Sequence, residues 1–361
     1  MVGALVVAGG DVVGRGWHAR VGGPHAEAVA LAEAGERACG ATLYVTLEPC
    51  AHHGRTPPCA DAVIAAGVRR VVACHGDPDP RVAGRGFARL RAAGIEVEVG
   101  ELAERAVRLN WKFLVAAVER RPAVTLKWAM SLDGRIATAR GESQWISGQE
   151  ARRWALALRE EHDATLVGVG TVLADDPRLD RRLALAAGPG RRVVLDRRLR
   201  TPPGARLFAA AGPLLVYAEP GAPEERRRAL EAAGATVVEL PEVAPAAVLA
   251  DLYAREVRSV LVEGGGEALA SFAAAAFFDQ VRVACAPLLL GGRKAPGALG
   301  GEGLGELARV PRLDRLAVRR VGRDLVLSAL REGCIARLLE AAAGAAEGAA
   351  AGAAEAAASR P

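Results

Sequence analysis

His25-Ala26-Glu27, then Glu48-Pro49-Cys50, then Cys59 after the insert Ala51-His52-His53-Gly54-Arg55-Thr56-Pro57-Pro58, decide how the first half of this chain is read. One imidazole and two thiolates suit a tetrahedral Zn2+ whose fourth position stays open for water, and a carboxylate two residues from the imidazole can move that water's proton. Two thiolates and a neutral imidazole also cancel the charge of the dication. A lone Cys or His would mean little, since free Cys is usually a small buried hydrophobe.

The joint pattern is that of a zinc hydrolytic deaminase, against the alternatives of a structural zinc knot or coincidence. His25, Cys50 and Cys59 are the expected metal ligands, one Zn2+ for the first domain, and Glu27 the expected proton carrier. The runs after Cys50 and Cys59 suggest that each begins a helix, whose N-terminal dipole would favour the thiolates.

Outward from those motifs the chain alternates strands and helices, an α/β pattern in both halves. Ala4 to Ala8, Gly9-Gly10-Asp11 and Val12-Val13 predict a hairpin that opens the first sheet. Strands are expected at 41–45 and 68–73, and helices at 26–38 and 101–118. Glu119-Arg120-Arg121-Pro122, a charged stretch ending in proline, marks a boundary, giving domains at 1–119 and 120–333. Strand-like runs follow at 123–129, 164–167, 192–195, 214–217, 237–238 and 259–262. Residues 334–361 form an Ala/Gly-rich tail with no periodic apolar face to dock, so a solvated or disordered appendage is expected.

Composition bounds the function. With 361 residues there is room for two cores, and 51% hydrophobic with 25% charged is ordinary for a soluble globular chain. The net charge of +5 raises nucleic acid as a partner, but Lys occurs only at 112, 127 and 294, the arginines are dispersed, and aromatics are only 4%, so no nucleic-acid binding is expected. No transmembrane segment is needed, and no leader resembles a signal peptide. The six Cys therefore point to a reducing cytoplasm, with Cys39, Cys74, Cys285 and Cys334 packing rather than reacting.

The stretches around the ligands are more specific than the ligands alone. Gly22-Gly23-Pro24-His25-Ala26-Glu27, Thr46-Leu47-Glu48-Pro49-Cys50, His53-Gly54-Arg55-Thr56-Pro57-Pro58-Cys59 and the run from Asp77-Pro78-Asp79-Pro80 to Gly86 resemble the bifunctional riboflavin-biosynthesis deaminase/reductase family. Nucleoside deaminases usually space the two Cys as Cys-x-x-Cys, without the eight-residue insert seen here. Lys127-Trp128-Ala129-Met130-Ser131-Leu132-Asp133-Gly134, Gly141-Glu142-Ser143-Gln144-Trp145-Ile146-Ser147, the run from Gly168 to Pro177, and Glu263-Gly264-Gly265-Gly266 resemble the reductase half of the same family. The resemblance implies a cytidine-deaminase-like three-layer α/β/α domain, a dihydrofolate-reductase-like α/β domain, NADPH as cofactor, a phosphorylated pyrimidine ribosyl substrate, and a homodimer or higher homo-oligomer.

Reducing a sugar carbonyl needs a hydride donor, a cation or acid near the developing alkoxide, and phosphate anchors. Lys127 and Asp175 are candidates for the polar work. By resemblance Ala129, Trp145, Ser147, Thr171 and Asp175 lie along the cofactor, and Ser143, Arg159, Leu179, Arg182 and Glu263 along the substrate. Triple glycine after a strand also marks ordinary tight turns, but before a helix-like run it makes a loop that can approach a pyrophosphate. The resemblance makes this the cofactor phosphate loop, with Gly265, Gly266, Glu267, Ala268, Leu269, Ala270 and Ser271 as further cofactor candidates. In the first half His18, His53 and Arg55 are substrate candidates because they flank the metal motifs, with His52 and Asp77 as remaining polar groups.

The family pattern also places a helix of about two dozen residues, ending in Asn-Pro, ahead of the segment matching Met1-Val2-Gly3, so a longer natural chain is expected. Smaller departures are Trp128, Asp79 where Asn is usual, and Asp180-Arg181-Arg182 where Thr-Val-Arg is usual. A nucleoside or tRNA deaminase with an unrelated partner domain, and a non-catalytic zinc scaffold, are the rival readings.

Overall fold

The computed structural model describes residues 2–20, 22–53, 57–186 and 188–358, in two compact units, Met1–Glu119 with Ile335–Pro361, and Arg120–Cys334. In the first unit β1 (Gly3–Ala8) and β2 (Asp11–Trp17) form the expected hairpin. Gly9 and Gly10 make its turn at φ of 60° and 93°, a region that two-residue hairpin turns demand and glycine enters freely. β1 also pairs antiparallel with β3 (Thr42–Val45), after which β4 (Arg70–Ala73) and β5 (Glu96–Val99) continue in parallel. The sheet order is β2-β1-β3-β4-β5.

Three helices join these strands, α1 (Ala26–Ala34, prolonged by a 3-10 turn over Gly35–Ala38), α2 (Cys59–Ala65) and α3 (Arg85–Ala92), and α4 (Ala103–Glu119) follows β5. Val6, Leu43 and Val71 from the sheet meet Ala30, Val63, Phe87 and Leu90 from the helices in one fully buried cluster. At Gly14 and Gly16 of β2 an added Cβ would lie 2.1 Å from the Ala30 carbonyl oxygen and 2.0 Å from that of Ala26. Only glycine allows α1 to lie this close to the strand.

The second unit runs β6 (Ala123–Ser131), α5 (Gln149–Glu160), β7 (Ala164–Gly168), α6 (Val169–Asp175), β8 (Arg191–Leu195), β9 (Leu214–Ala218), α7 (Glu224–Ala232), β10 (Thr236–Glu239), α8 (Pro245–Ala254), β11 (Ser259–Glu263), α9 (Gly266–Ala274), β12 (Gln280–Ala286), β13 (Leu313–Val321) and β14 (Asp324–Arg331). Its sheet order is β10-β9-β8-β7-β11-β6-β12-β14-β13, parallel except that β14 opposes both neighbours. The central strands are nearly continuous apolar runs, as a sheet covered on both faces requires, with Val124, Leu166, Val193 and Val260 fully buried.

The structure adds to the sequence reading at three places. Within the charged stretch that marks the boundary, the Arg121 guanidinium is buried and donates to both carboxylate oxygens of Asp279, at 2.8 and 2.6 Å, while Asp279 also accepts the Val124 N–H at 2.8 Å. Four strands, β5, β12, β13 and β14, lie outside the expected runs; at the sheet edges β5 alternates exposed Glu96 and Glu98 with half-covered Val97 and Val99, and β13 is exposed along most of its length. The tail, contrary to expectation, is not a free appendage. It forms α10 (Cys334–Ala358), with Ile335, Leu338 and Ala342 buried. An added Cβ at Gly76 would lie 2.8 Å from the Ala342 carbonyl oxygen and 2.9 Å from the Ala346 nitrogen, so the helix docks by close backbone approach. Small residues permit that approach without the large apolar periodicity that normally announces a docked helix.

Candidate active sites

His25 ends the segment before α1, and Glu27 stands in the first turn of that helix, held in place by the Gly14 and Gly16 contacts. Cys59 opens α2, whereas Cys50 begins no helix, contrary to expectation; it lies in the loop after β3. The two cysteines are instead tied directly, since the Cys59 N–H donates to the Cys50 sulfur at 3.3 Å and the Ala60 N–H to the Cys50 carbonyl at 3.1 Å. His25 Nδ1 stands 3.1 Å from Cys59 Sγ and 3.6 Å from Cys50 Sγ, and the three donor atoms lie within 4.8 Å of one another. Nitrogen and sulfur ligands of one tetrahedral zinc stand roughly 3.6 Å apart, so this donor set fits the ion in both chemistry and spacing.

Cys50 is brought down to about 5 by the hydrogen bond from the Cys59 side chain, helped by the Cys59 N–H and by His25. Cys59 is pushed up by that same bond, by burial and by Glu27. Glu27 is 3% exposed, and burial raises its carboxyl above the ordinary range although a bond with Cys59 opposes the rise.

Glu48 has a role that the motif reading missed. Its buried carboxylate accepts the N–H groups of Asp77 at 3.1 Å, Gly84 at 2.9 Å and Gly86 at 2.9 Å. Gly86 must be glycine, because a Cβ there would sit 1.9 Å from the Pro49 carbonyl oxygen. This clamp anchors the residues preceding Cys50 onto the start of α3. An acidic residue inside an otherwise apolar Thr-Leu-Glu-Pro-Cys run was the available signal.

Of the substrate candidates here, His18 is brought to the metal ligands: its ring meets that of His25 edge-on at 5.4 Å, and its Nδ1 is 3.1 Å from the Pro24 carbonyl oxygen. His53 is exposed, and Arg55 lies outside the described residues. His75, which the sequence reading passed over, is buried with Nδ1 2.8 Å from the Gly76 oxygen, and burial lowers its pKa. Burial likewise raises Asp77 to about 7.

The second site is a cavity of about 760 Å3 at the C-terminal ends of β6, β7 and β11, where parallel sheets present their loops. Register places Lys127 of β6 beside Glu263 of β11. Arg159 of α5 closes on Glu263 with two bonds of 2.8 Å. Burial would push the Glu263 carboxyl up, but Arg159 and then Lys127 hold it at about 2. Burial, with Arg159 adding, lowers the Lys127 ammonium, and Glu263 opposes. Ser143 donates to Asp175 at 3.0 Å.

The cavity gathers Lys127, Ala129, Ser143, Trp145, Ser147, Arg159, Thr171, Asp175, Leu179, Arg182, Glu263, Gly265 and Leu269. Trp145 is 66% exposed at the edge of this cavity, with the Arg152 guanidinium 4.6 Å from its ring centre. Gly266, Glu267, Ala268, Ala270 and Ser271 are not among its lining. Glu267 accepts the Gly301 N–H at 3.1 Å, Ala268 packs in the core, and Ser271 donates to the Ala268 carbonyl at 2.9 Å. Gly264 and Gly265 have φ of 68° and 74°, and a Cβ on Gly265 would lie 2.9 Å from Thr171 Oγ1, so the loop before α9 approaches α6 as only glycine can.

Residues 122–327 match the RibD C-terminal domain, and residues 1–75 match the cytidine and deoxycytidylate deaminase zinc-binding region. The riboflavin biosynthesis protein RibD of Aquifex aeolicus is 42% identical over 327 residues, covering 90% of each chain. That of Escherichia coli is 41% identical over 342 residues, 90% of this chain and 92% of its own. Among solved structures, Acinetobacter baumannii RibD has a TM-score of 0.81 at 37% identity, over 91% of this chain and 92% of that one. A Thermotoga maritima diaminohydroxyphosphoribosylaminopyrimidine deaminase/5-amino-6-(5-phosphoribosylamino)uracil reductase has a TM-score of 0.80 at 34% identity, covering 91% of both chains.

Proposed function

The chain belongs to the RibD family of riboflavin-biosynthesis proteins, and on that premise we propose that its first unit deaminates a diamino-ribosylamino-pyrimidinone 5′-phosphate and its second reduces the ribosyl group of the product to ribityl with NADPH. The observation that carries this reading is Glu27 buried beside the His25, Cys50 and Cys59 donor set.

His25, Cys50 and Cys59 would hold zinc, which supplies the polarisation of a water for attack on the ring carbon bearing the exocyclic amine. Glu27 takes the water's proton and delivers it to the departing amine, which leaves as ammonia. Its burial keeps the proton off bulk solvent between the two transfers. His18, His53 and Arg55 contribute to holding the substrate.

In the second unit Ala129, Trp145, Ser147, Thr171, Asp175, Gly265 and Leu269, which line the cavity, lie along NADPH. Ser143, Arg159, Leu179, Arg182 and Glu263 face the sugar phosphate. Reduction needs a proton on the sugar oxygen as hydride reaches the carbon. Lys127, whose ammonium is weakened by burial, is placed to give it, and Asp175 is bound to Ser143 for the same polar work.

The substrate is a small molecule. The enzyme works in the cytoplasm as a homodimer or higher homo-oligomer and without nucleic acid; the six free cysteines support a reducing setting. Among the described residues no helix is long and apolar enough to cross a membrane. A nucleoside or tRNA deaminase with an unrelated partner does not account for the reductase-family match over 122–327. The test is ammonia release from the diamino substrate by the zinc-loaded chain and by Glu27→Gln. Release that vanishes in the variant is expected; release unchanged in the variant, or none from the wild type, would overturn the deaminase assignment.

A further inference from the structure

The stretch leaving α6 departs from the family pattern at Asp180, and the structure gives that residue a definite task. Asp180 Oδ2 accepts Arg178 Nε at 2.8 Å, and Asp180 Oδ1 accepts Arg182 Nε at 2.6 Å. The carboxylate is 13% exposed and stands behind the cavity wall, while both arginines line the cavity. Arg182 and Arg178 together hold the Asp180 carboxyl below its ordinary range against burial. The backbone is shaped for this arrangement: Asp176 and Leu179 take left-handed φ of 40° and 56°. Asp176 is tied down by accepting the Arg206 N–H at 2.8 Å, and Leu179 is buried.

We propose that Asp180 binds Arg178 and Arg182 into one clamp, and that Arg178 thereby joins Arg182 as a ligand of a phosphate monoester in the reductase cavity.

The charge distribution of the cavity supports this location. Among the other basic lining residues, Arg159 and Lys127 stand against Glu263 and Arg152 stacks on Trp145, while Arg206 lines the cavity from the segment after β8 without joining the Asp180 cluster. Each clamp guanidinium has Asp180 on its Nε and no other partner among the described residues, which leaves its terminal N–H groups for an oxyanion. One carboxylate between two guanidinia also cancels enough repulsion to keep them together before a ligand arrives, and leaves net positive charge to attract it.

The inference rests on the reductase reading of this cavity. Two phosphate monoesters belong to that reaction, the 5′-phosphate of the sugar and the 2′-phosphate of NADPH, and the reading of Leu179 and Arg182 as substrate contacts, on which this rests, selects the first. Calorimetric titration of the full chain with ribose 5-phosphate and with adenosine 2′-phosphate separates them without requiring turnover. Arg178→Ala is expected to weaken ribose 5-phosphate about tenfold, the loss of one charge-assisted phosphate contact, and to leave adenosine 2′-phosphate unchanged. The opposite pattern keeps the clamp and assigns it to the cofactor. Asp180→Ala is expected to weaken the same probe about fivefold, and Asp180→Ala with Arg178→Ala to weaken it by less than the product of the two single effects, because Asp180 acts in part through Arg178 and in part through Arg182. In steady-state NADPH oxidation these variants raise KM for the phosphorylated substrate with kcat nearly unchanged, an effect that general loosening of the fold would not produce. Equal binding of both probes by wild type and Arg178→Ala would overturn the clamp. A wild-type chain that binds ribose 5-phosphate through Arg178 but oxidises no NADPH would sink the reductase reading and leave the clamp standing.

Discussion

In the first unit three donor atoms within 4.8 Å and one buried carboxylate come from short motifs in the first sixty residues; in the second, a cavity of about 760 Å3 draws on residues from Lys127 to Pro296. The first centre is held by backbone: Gly14 and Gly16 seat α1, and Glu48 collects the N–H groups of Asp77, Gly84 and Gly86. The second is held by side-chain pairs between elements, of which Arg159 of α5 with Glu263 of β11 is the clearest. A compact metal centre tolerates no substitution of its few ligands, whereas a broad cavity divides its work among many contacts. Damage should therefore be close to all-or-none in the first unit and graded in the second.

Glu27→Gln offers the largest effect: ammonia release should fall about a thousandfold, within the range expected for a lost general acid–base, while NADPH oxidation with the deaminated substrate stays within twofold. Parallel loss of both activities would break the separation of the two centres. Stripping metal with a chelator should likewise abolish deamination, recoverable with zinc, and spare reduction; a reductase that also dies with the metal would refute it. Lys127→Ala should slow NADPH oxidation roughly a hundredfold and leave ammonia release alone, as two separate assays on one preparation would read.

Much of this division was legible beforehand because a zinc ion demands particular residue types at restricted spacing, and His25, Cys50 and Cys59 carry that demand in plain view. The hairpin at Gly9-Gly10 and the buried strands announced themselves by turn chemistry and apolar runs. What stayed hidden has no local signature. Glu48 gains its clamp only when the 77–86 segment folds over it, Arg121 is buried only because Asp279, far along the chain, meets it, and Asp180 matters through two arginines rather than through its own exposure. The tail was misread because Ala342 docks on Gly76 through smallness, where hydrophobic periodicity looks for bulk.

The smaller effects sharpen the comparison at the level of stability. Leu338→Ala, in the buried face of α10, should cost the first unit about 2–4 kcal/mol in chemical denaturation and leave the melting of the second unchanged. A shift in the second unit's transition alone would contradict the place of α10 in the first. Asp77 sets a pH dependence. Its carboxyl is raised from 3.8 to about 7 by burial, which outweighs the hydrogen bond from the Asp79 N–H, with the charges of Asp79 and Glu48 adding and that of Arg81 opposing. The folded state therefore keeps a proton that the unfolded chain releases, so the contribution is full below pH 4 and is lost as pH rises through 7. Asp77→Asn, still able to accept the Asp79 N–H, should flatten that slope and stabilise the first unit by about 1–2 kcal/mol at pH 8. A wild-type midpoint that rises between pH 4 and 7 would contradict the assignment.

The most direct test of two centres acting in sequence in one chain is the stoichiometry of ammonia released to NADPH oxidised when the zinc-loaded protein is given only the diamino-pyrimidinone ribosyl phosphate. One ammonia per NADPH is predicted, with both signals lost in Glu27→Gln and NADPH oxidation restored to that variant by the deaminated substrate. NADPH oxidation without ammonia, or a Glu27→Gln protein that the deaminated substrate fails to rescue, would contradict the account.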